Sequence, residues 1–431
     1  MISFAQFLTE KTDLEDEKPD YAANFVNHLH WADDTGSNLT ESVKKKNGPS
    51  LMDLNPDVQF YDYTKNFGRV IRQSTPNHPQ NYHLSLSHTG SGEQTNDHQV
   101  AMALDSGNVV ASVYRKRKSR REVNPDYVEG SKEPKTLRIP LTPEPKGIID
   151  DHTGRVYPGA GGDKDDNTFD RHNKLGIPNT RGIGHNGKGV VSTLELKGVT
   201  AERAGSFANE IHPDGYIHIN SGRTREEVKK EPAKEEEIDW SKMPNASRIR
   251  DIGREEAKRI IPEGMPVTVY MRKGLASAYE QIPTMDSKSL KKRVSEARQA
   301  YKQFRKARGV ETGSNLMKSN GKTEKSSGEG VLTIGLSMAP HHLSGLANVC
   351  PHSSTNCRAN CLGTEAGTLR GDANVSGKMI RTQFLFLHPE HAGFLLHDEI
   401  TKHKKKAEKK GLIPGVRLNM VSDIDHENIH K

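Results

Sequence analysis

Residues 331–336 read Val-Leu-Thr-Ile-Gly-Leu, and residues 349–363 read Val-Cys-Pro-His-Ser-Ser-Thr-Asn-Cys-Arg-Ala-Asn-Cys-Leu-Gly. The first run has the apolar, branched character of a strand. The second is a loop that holds every cysteine of the chain, Cys350, Cys357 and Cys361, in the spacing C-x6-C-x3-C. Helical patterns follow at 377–387 and 392–410. The second of these puts Phe394, Leu395 and Ile400 on one side and ends in lysines, which suit a helix C-terminus electrostatically. Gly411 and Pro414 stop that helix, and 416–421 (Val-Arg-Leu-Asn-Met-Val) reads as the next strand, ending in Ser422-Asp423. Strand, helix, strand in repetition argues for a mainly parallel α/β sheet or barrel, in which ligands gather at the carboxyl ends of the strands.

Upstream, 58–64 (Val-Gln-Phe-Tyr-Asp-Tyr-Thr), 82–87 (Tyr-His-Leu-Ser-Leu-Ser) and 108–114 read as further strands, with helical turns between the last two around 99–105. Lys65 follows one strand end, and Ser87 and His88 another. Polar groups at equivalent ends of separate strands are what one shared site looks like. Residues 1–50 read as a polar helical arm with Phe4, Phe7 and Leu8 on one side. Residues 176–285 read as a small inserted α+β unit: strands at 190–196, 216–220 and 267–271, a helix at 200–211 capped by Thr200, and a mixed-charge linker at 223–237. At 286–309 Leu290, Val294, Ala297, Tyr301 and Phe304 step by four and three, an apolar stripe on a helix packed with Lys and Arg. Gly309 stops it, and the Gly/Ser/Lys-rich run to 330 reads as flexible linker.

The bulk properties set limits. The chain has 431 residues and a net charge of +7, with 32% apolar and 28% charged residues. Two or three domains are expected, with part of the chain outside any core. No apolar stretch approaches a membrane span, the N-terminus lacks a signal-peptide pattern, and scarce cysteine agrees with a reducing cytoplasm.

Three soft sulfur ligands in one loop suit an iron–sulfur cluster, whose fourth iron stays open to a small molecule. Structural zinc, with a fourth ligand from His341, His342 or His352, is the alternative, although six residues exceed its usual C-x2-4-C spacing. A disulfide would leave one cysteine over. In the zinc reading the protein is not an enzyme and binds nucleic acid or a host partner through the basic run 115–121 (Arg-Lys-Arg-Lys-Ser-Arg-Arg) and the 286–309 helix.

Several segments together resemble the gene-product-88 domain found in phage proteins. They are Cys350-Pro…Cys357-Arg-Ala-Asn-Cys361-Leu-Gly, Arg381-Thr-Gln-Phe-Leu-Phe, Val416-Arg-Leu-Asn…Ser422-Asp423-Ile424, Val58-Gln-Phe-Tyr-Asp-Tyr-Thr-Lys65, Asn81-Tyr-His-Leu-Ser-Leu-Ser87 and the acidic segment 162–170. They cover about half the chain. The order is reversed relative to that family, in which the cysteine segment comes first. This looks like a circular permutation with 176–330 inserted across the old termini, or like a gene reassembled across the ends of a phage genome. A cysteine loop after the first strand of an α/β barrel is in turn similar to radical S-adenosylmethionine enzymes, which usually show C-x3-C-x2-C.

The expectation is therefore a partial (β/α) barrel with a mainly parallel sheet assembled from both ends of the chain. Residues 331–431 supply its first half and 51–175 its second, with the inserted α+β unit at 176–285 and the basic helix and linker at 286–330 between them. The resemblance implies a 4Fe–4S cluster on Cys350, Cys357 and Cys361 and S-adenosylmethionine beside it. Arg417, Asn419, Ser422 and Asp423 would form the floor of the site, with Tyr63 and Lys65 facing the ligand and Lys65 a point charge for an anionic group. Ser85 and Ser87 share a strand face with His83 and are further candidates. Arg381 on its helix is either a site residue or a structural partner of a carboxylate.

Overall fold

The computed structural model describes residues 48–429 apart from 74, 76–77, 90–95, 115–118, 126, 130–134, 141–143, 163–188, 196–207, 223–238, 311–313, 320, 354–356, 359–360 and 362–370. The strands are β1 Gln59–Thr64, β2 Tyr82–Ser87, β3 Val109–Tyr114, β4 Ser119–Val123, β5 Thr136–Pro140, β6 Gly147–Asp150, β7 Arg155–Gly161, β8 Val190–Glu195, β9 Ile217–Ile219, β10 Met317–Lys318, β11 Val331–Leu336 and β12 Ile413–Arg417. The helices are α1 Phe67–Arg72, α2 Asp97–Asp105, α3 Pro244–Ile260, α4 Val267–Gln281, α5 Ser287–Ala307, α6 Gly321–Lys325, α7 Asp372–Leu387 and α8 Pro389–Glu408.

Ten strands form one sheet in the order β10-β11-β12-β1-β2-β3-β8-β7-β6-β9, and β4 and β5 form a separate hairpin. From β11 to β8 every neighbouring pair is parallel. The two ends of the chain meet in the middle of this sheet: Gln59 stands opposite Gly415 and Phe60 opposite Val416. Read from β11, the parallel run follows chain order to β12, passes the chain ends, and resumes with β1, β2, β3 and β8. A single cut and rejoining of the chain makes the order consecutive, which is what a permuted α/β unit requires. The sheet is not closed among the described residues, so the structure is a mixed α/β fold with an open, mostly parallel sheet.

The central strands are buried on both faces, which is why they read as continuous runs of branched and aromatic residues. Phe60, Tyr82, Leu84, Leu86, Val109 and Val110 are fully buried. On one face α7 and α8 carry Phe384, Phe386, Phe394 and Leu395 into the core, and α3, α4 and α5 pack onto them. Two glycines set how closely these helices approach. A Cβ on Gly253 of α3 would collide with the Gln383 amide of α7, and one on Gly393 of α8 would stand 2.6 Å from Ala278 of α4.

Several expectations are corrected. Residues 267–271 belong to a helix, not a strand: Met271, Leu275, Ala278 and Tyr279 are buried at helical spacing, and that packing overrides the β-branched start. The strand expected at 416–421 begins earlier and ends at Arg417, because Asn419 turns the chain by donating its N–H to Asp62. The strands at 190–195 and 217–219 join the main sheet. The stretch read as linker up to 330 contains β10 and α6. The helix at 286–309 matches α5, with Asp286 accepting from Lys288 N and Ser289 N at 2.8 Å each. Its stripe of Val294, Ala297, Tyr301 and Phe304 is buried. The 1–47 arm, the 200–207 helix, the acidic run from 163 and residues 115–118 of the basic run lie outside the described residues. No described helix is long and apolar enough to cross a membrane.

Candidate functional site

The carboxyl ends of β11, β12, β1 and β2 point the same way, because these strands are parallel. Asp62, in the middle of an aromatic strand, organises one side of that edge. It accepts from Asn419 N at 2.8 Å and from the Tyr82 hydroxyl at 2.9 Å. Burial pushes its carboxyl up to about 6, against the pull of Arg417 and of these donors. Tyr82 in turn accepts from Arg69 Nη2 at 3.1 Å. Arg69, on α1, also donates to Asp423 Oδ1 at 2.6 Å and to both Glu427 oxygens at 2.8 Å. The second Asp423 oxygen accepts from Lys65 N at 3.1 Å. Asn419 holds the turn between these partners. Its Oδ1 accepts from Ser422 Oγ and Ile424 N, both at 2.9 Å, and its Nδ2 donates to Ile424 O at 2.8 Å.

The opposite face carries a row of polar side chains in register. Tyr61 stands opposite His83, and Tyr63 opposite Ser85. Arg417 lies with its guanidinium 4.8 Å from the Tyr63 ring centre and 5.9 Å from that of Tyr61, within cation–π range. Tyr61 shares a hydrogen bond with Thr333 at 3.1 Å, and Ser85 one with His83 at 3.3 Å. His83 and Ser85 are buried, so the alternation in β2 does not mark a solvated face, and Ser87 is half-buried.

The cysteine loop lies over the same edge. Asp423 N donates to Val349 O at 2.7 Å, which ties the loop to the turn after β12. The Cys350 thiol accepts from His341 N at 3.4 Å and donates to Val421 O at 3.6 Å. His341 has φ +39°, a left-handed conformation that a non-glycine residue rarely adopts. Burial pushes the Cys350 thiol up to about 12, and the charges of Cys361, Cys357 and Asp423 push it the same way. Lys378 of α7 is buried and feels Cys361. Burial pushes this amine down to about 8, Cys361 pulls it back up and Arg381 pushes it further down. Asn66, at the start of α1, shares a 2.9 Å hydrogen bond with His352 of the loop.

The structure thus brings Cys350, Cys357, Cys361, Asp423, Lys65, Ser422, Asn419, Arg417, Tyr63 and Ser85 to one strand-end region. Asn419, Ser422 and Asp423 have their polar atoms engaged within the protein, so they shape the floor more than they offer it. Arg381 donates to a backbone carbonyl, Ser337 O, at 2.9 Å rather than to a carboxylate. Sequence reading missed Asp62, Arg69, Tyr82 and Lys378. Only Asp62 carried a signal, a charge inside Phe60-Tyr61-Asp62-Tyr63. The thiols suit soft metals by donor chemistry. Their positions do not gather them: among the described residues no group of three or more Cys, His, Asp or Glu stands close enough to hold a metal ion. A family model described as gene product 88 matches residues 17–173 and 313–431, the two segments that meet across this edge. None of the curated proteins and none of the solved structures compared with the chain matches it.

Proposed function

The chain belongs to the gene product 88 family, and we propose that it is a phage-encoded iron–sulfur protein whose cluster is held by Cys350, Cys357 and Cys361. The observation that carries this reading is the geometry of the loop that holds all three thiols: Asp423 N donates to Val349 O at 2.7 Å, which fixes the loop beside the parallel strand ends. Three sulfur donors in one loop suit a soft metal, which binds them as thiolates. When bound, the cluster supplies an iron open to a small-molecule ligand.

This chain's own residues have narrower tasks. The Arg69–Asp423 pair fixes the turn that carries Val421 O against the Cys350 thiol. Lys65, half-buried next to Asp423, supplies a positive charge for an anionic ligand, and S-adenosylmethionine is the ligand this reading expects.

Anaerobic reconstitution with iron and sulfide tests it. The expected result is about four irons per chain with a broad violet absorption band, both lost in Cys357→Ala. Lys65→Ala should keep the iron and weaken S-adenosylmethionine binding by about 1–3 kcal/mol, the scale of a charge-assisted hydrogen bond. Stoichiometric zinc with no iron uptake would overturn the reading. Equal S-adenosylmethionine affinity with and without Lys65 would remove that residue's role.

A further inference from the structure

The exposed face of α5 has a composition that its packing does not require. Eight residues of this helix are Lys or Arg and one is Glu, a net charge of +7 on α5 alone, equal to that of the whole chain. Its cations fall into two sets. Arg293 is paired with Glu390 of α8 and Arg298 with Asp398 of α8, while Arg308, just past the helix, is paired with Glu256 of α3. These arginines hold α5 against its neighbours.

The lysines stand elsewhere. Lys288, Lys292, Ser295, Gln299, Lys302 and Lys306 follow one another at steps of four, three, four, three and four, which puts them on one line along the helix. The line lies opposite the buried Val294, Ala297, Tyr301 and Phe304. All six residues are exposed, and the exposed Lys291 lies beside them. Among the described residues none of these five lysines has a carboxylate at ion-pair distance; the one acid of α5, Glu296, stands off the line, 3.5 Å from Arg293.

Folding gives no reason for this line. Cations near a helix N-terminus oppose the helix dipole, yet Lys288, Lys291 and Lys292 occupy the first two turns, and the first turn holds no acid. Like charges four residues apart, Lys288 with Lys292 and Lys302 with Lys306, weaken the helix further. A face that serves only solubility intersperses both signs, as α3 does with its exposed Asp251, Arg254, Glu255 and Lys258. A polyanion lying along α5 would relieve both strains. The line is about 27 Å long at the helical rise, and its two lysine groups are about 15 Å apart, close to the ~12 Å width of the DNA major groove. Ser295 and Gln299, neutral donors, stand between them. No aromatic side chain is exposed on α5, since Tyr301 and Phe304 are 3% and 5% exposed. The bases of a single strand therefore have nothing there to stack on.

We propose that this face of α5 is a docking surface for double-stranded DNA, held through backbone phosphates by Lys288, Lys292, Lys302 and Lys306. α5 lies outside the two segments matched by the family model, and the surface is independent of the metal proposed above.

Fluorescence anisotropy of the full chain with a labelled duplex of about 20 base pairs, repeated at several salt concentrations, tests the proposal. A Kd below about 10 μM at about 50 mM salt is expected, with affinity falling steeply as salt rises. Replacing all four lysines with Gln should lower the salt slope by about four, since each phosphate contact contributes about one, and Lys288→Gln with Lys292→Gln should lower it by about two. Lys409→Gln with Lys410→Gln removes two exposed charges just past α8 and should leave the slope unchanged. Every substituted position is exposed, so the variants should melt at the parent's temperature. No duplex binding at about 50 mM salt would overturn the proposal, as would a parent-like slope in the four-lysine variant. Equal losses in the two double variants would overturn it too, because they mark diffuse attraction, and so would tighter binding of a single strand of the same length.

Discussion

Replacing Arg69 with Met should be among the most destabilising single changes in the protein. The side chain is 1% exposed and makes four hydrogen bonds: one to Asp423, two to Glu427 and one to Tyr82. Methionine keeps the apolar stem and removes the charge. It leaves two carboxylates whose side chains are 9% and 5% exposed without their cation. Breaking a buried ion pair from one side costs about 3–5 kcal/mol, because the abandoned charge cannot reach water. Against a usual domain stability of about 5–15 kcal/mol, that is about a fifth of the total or more. Arg69→Lys should cost less, about 2 kcal/mol, since it keeps the charge but cannot form the two-pronged contact with Glu427. Urea denaturation at neutral pH, followed by far-ultraviolet dichroism, measures both. Glu427→Gln completes a cycle. The double change Arg69→Met with Glu427→Gln should destabilise by about 1–2 kcal/mol less than the sum of the single changes, because each removes the other's penalty. An Arg69→Met variant within about 1 kcal/mol of the parent, or a cycle that closes additively, would refute the reasoning.

Two further outcomes follow from the same structure. Burial pushes His426 down from 6.5 to about 3, so the folded state holds this ring neutral while the unfolded chain protonates it near 6.5. Its contribution is intact above 6.5 and lost as pH falls toward 3, about 2 kcal/mol by pH 5; thermal melts between pH 7 and 5 should show a decline that His426→Leu flattens, and an unchanged slope counts against the assignment. Gly253→Ala places a methyl group where the Gln383 amide donates to Ile249 O at 2.9 Å and Ser344 O at 3.0 Å. It should cost about 2–3 kcal/mol despite alanine's better helix propensity, and a variant as stable as the parent in urea would mean that α3 and α7 can part freely.

The strands were legible where both faces are buried, because burial on both sides leaves an unbroken run of branched and aromatic residues. β12 hid its start. Pro414 and Gly415 look like a stop, yet Pro414 sits in a central strand opposite Leu332, and the ladder to β1 begins only at Gly415, past the residue that lacks an N–H. The 267–271 error has the opposite cause: Val-Thr-Val-Tyr favours a strand locally, and only the packing of Met271 and Leu275 against α8 makes it a helix. In the candidate site, the cysteines stand out in the sequence by their clustering. Arg69 and Lys378 do not, since their meaning lies in partners such as Asp423, 354 positions away, which composition and periodicity do not record.

The Arg69 network also bears on how strands from opposite parts of the chain are held side by side. Parallel neighbours far apart in sequence need something other than a connecting segment to hold them in line. Here β12 and β1 are neighbours with no short connection between them, so their alignment must come from side chains. Asp62 takes the Asn419 N–H, Lys65 N reaches Asp423, and Arg69 binds Asp423 and Glu427 together. Each contact joins a residue after β12 to one in β1 or just beyond it, which is the task a covalent crossover performs between parallel strands that are consecutive in sequence. The proposed site lies on this seam, with the cysteine loop fixed to the turn at 423 and Lys65 N bonded to Asp423. A change that loosens the seam should therefore disturb the iron and ligand binding proposed above before it unfolds the sheet.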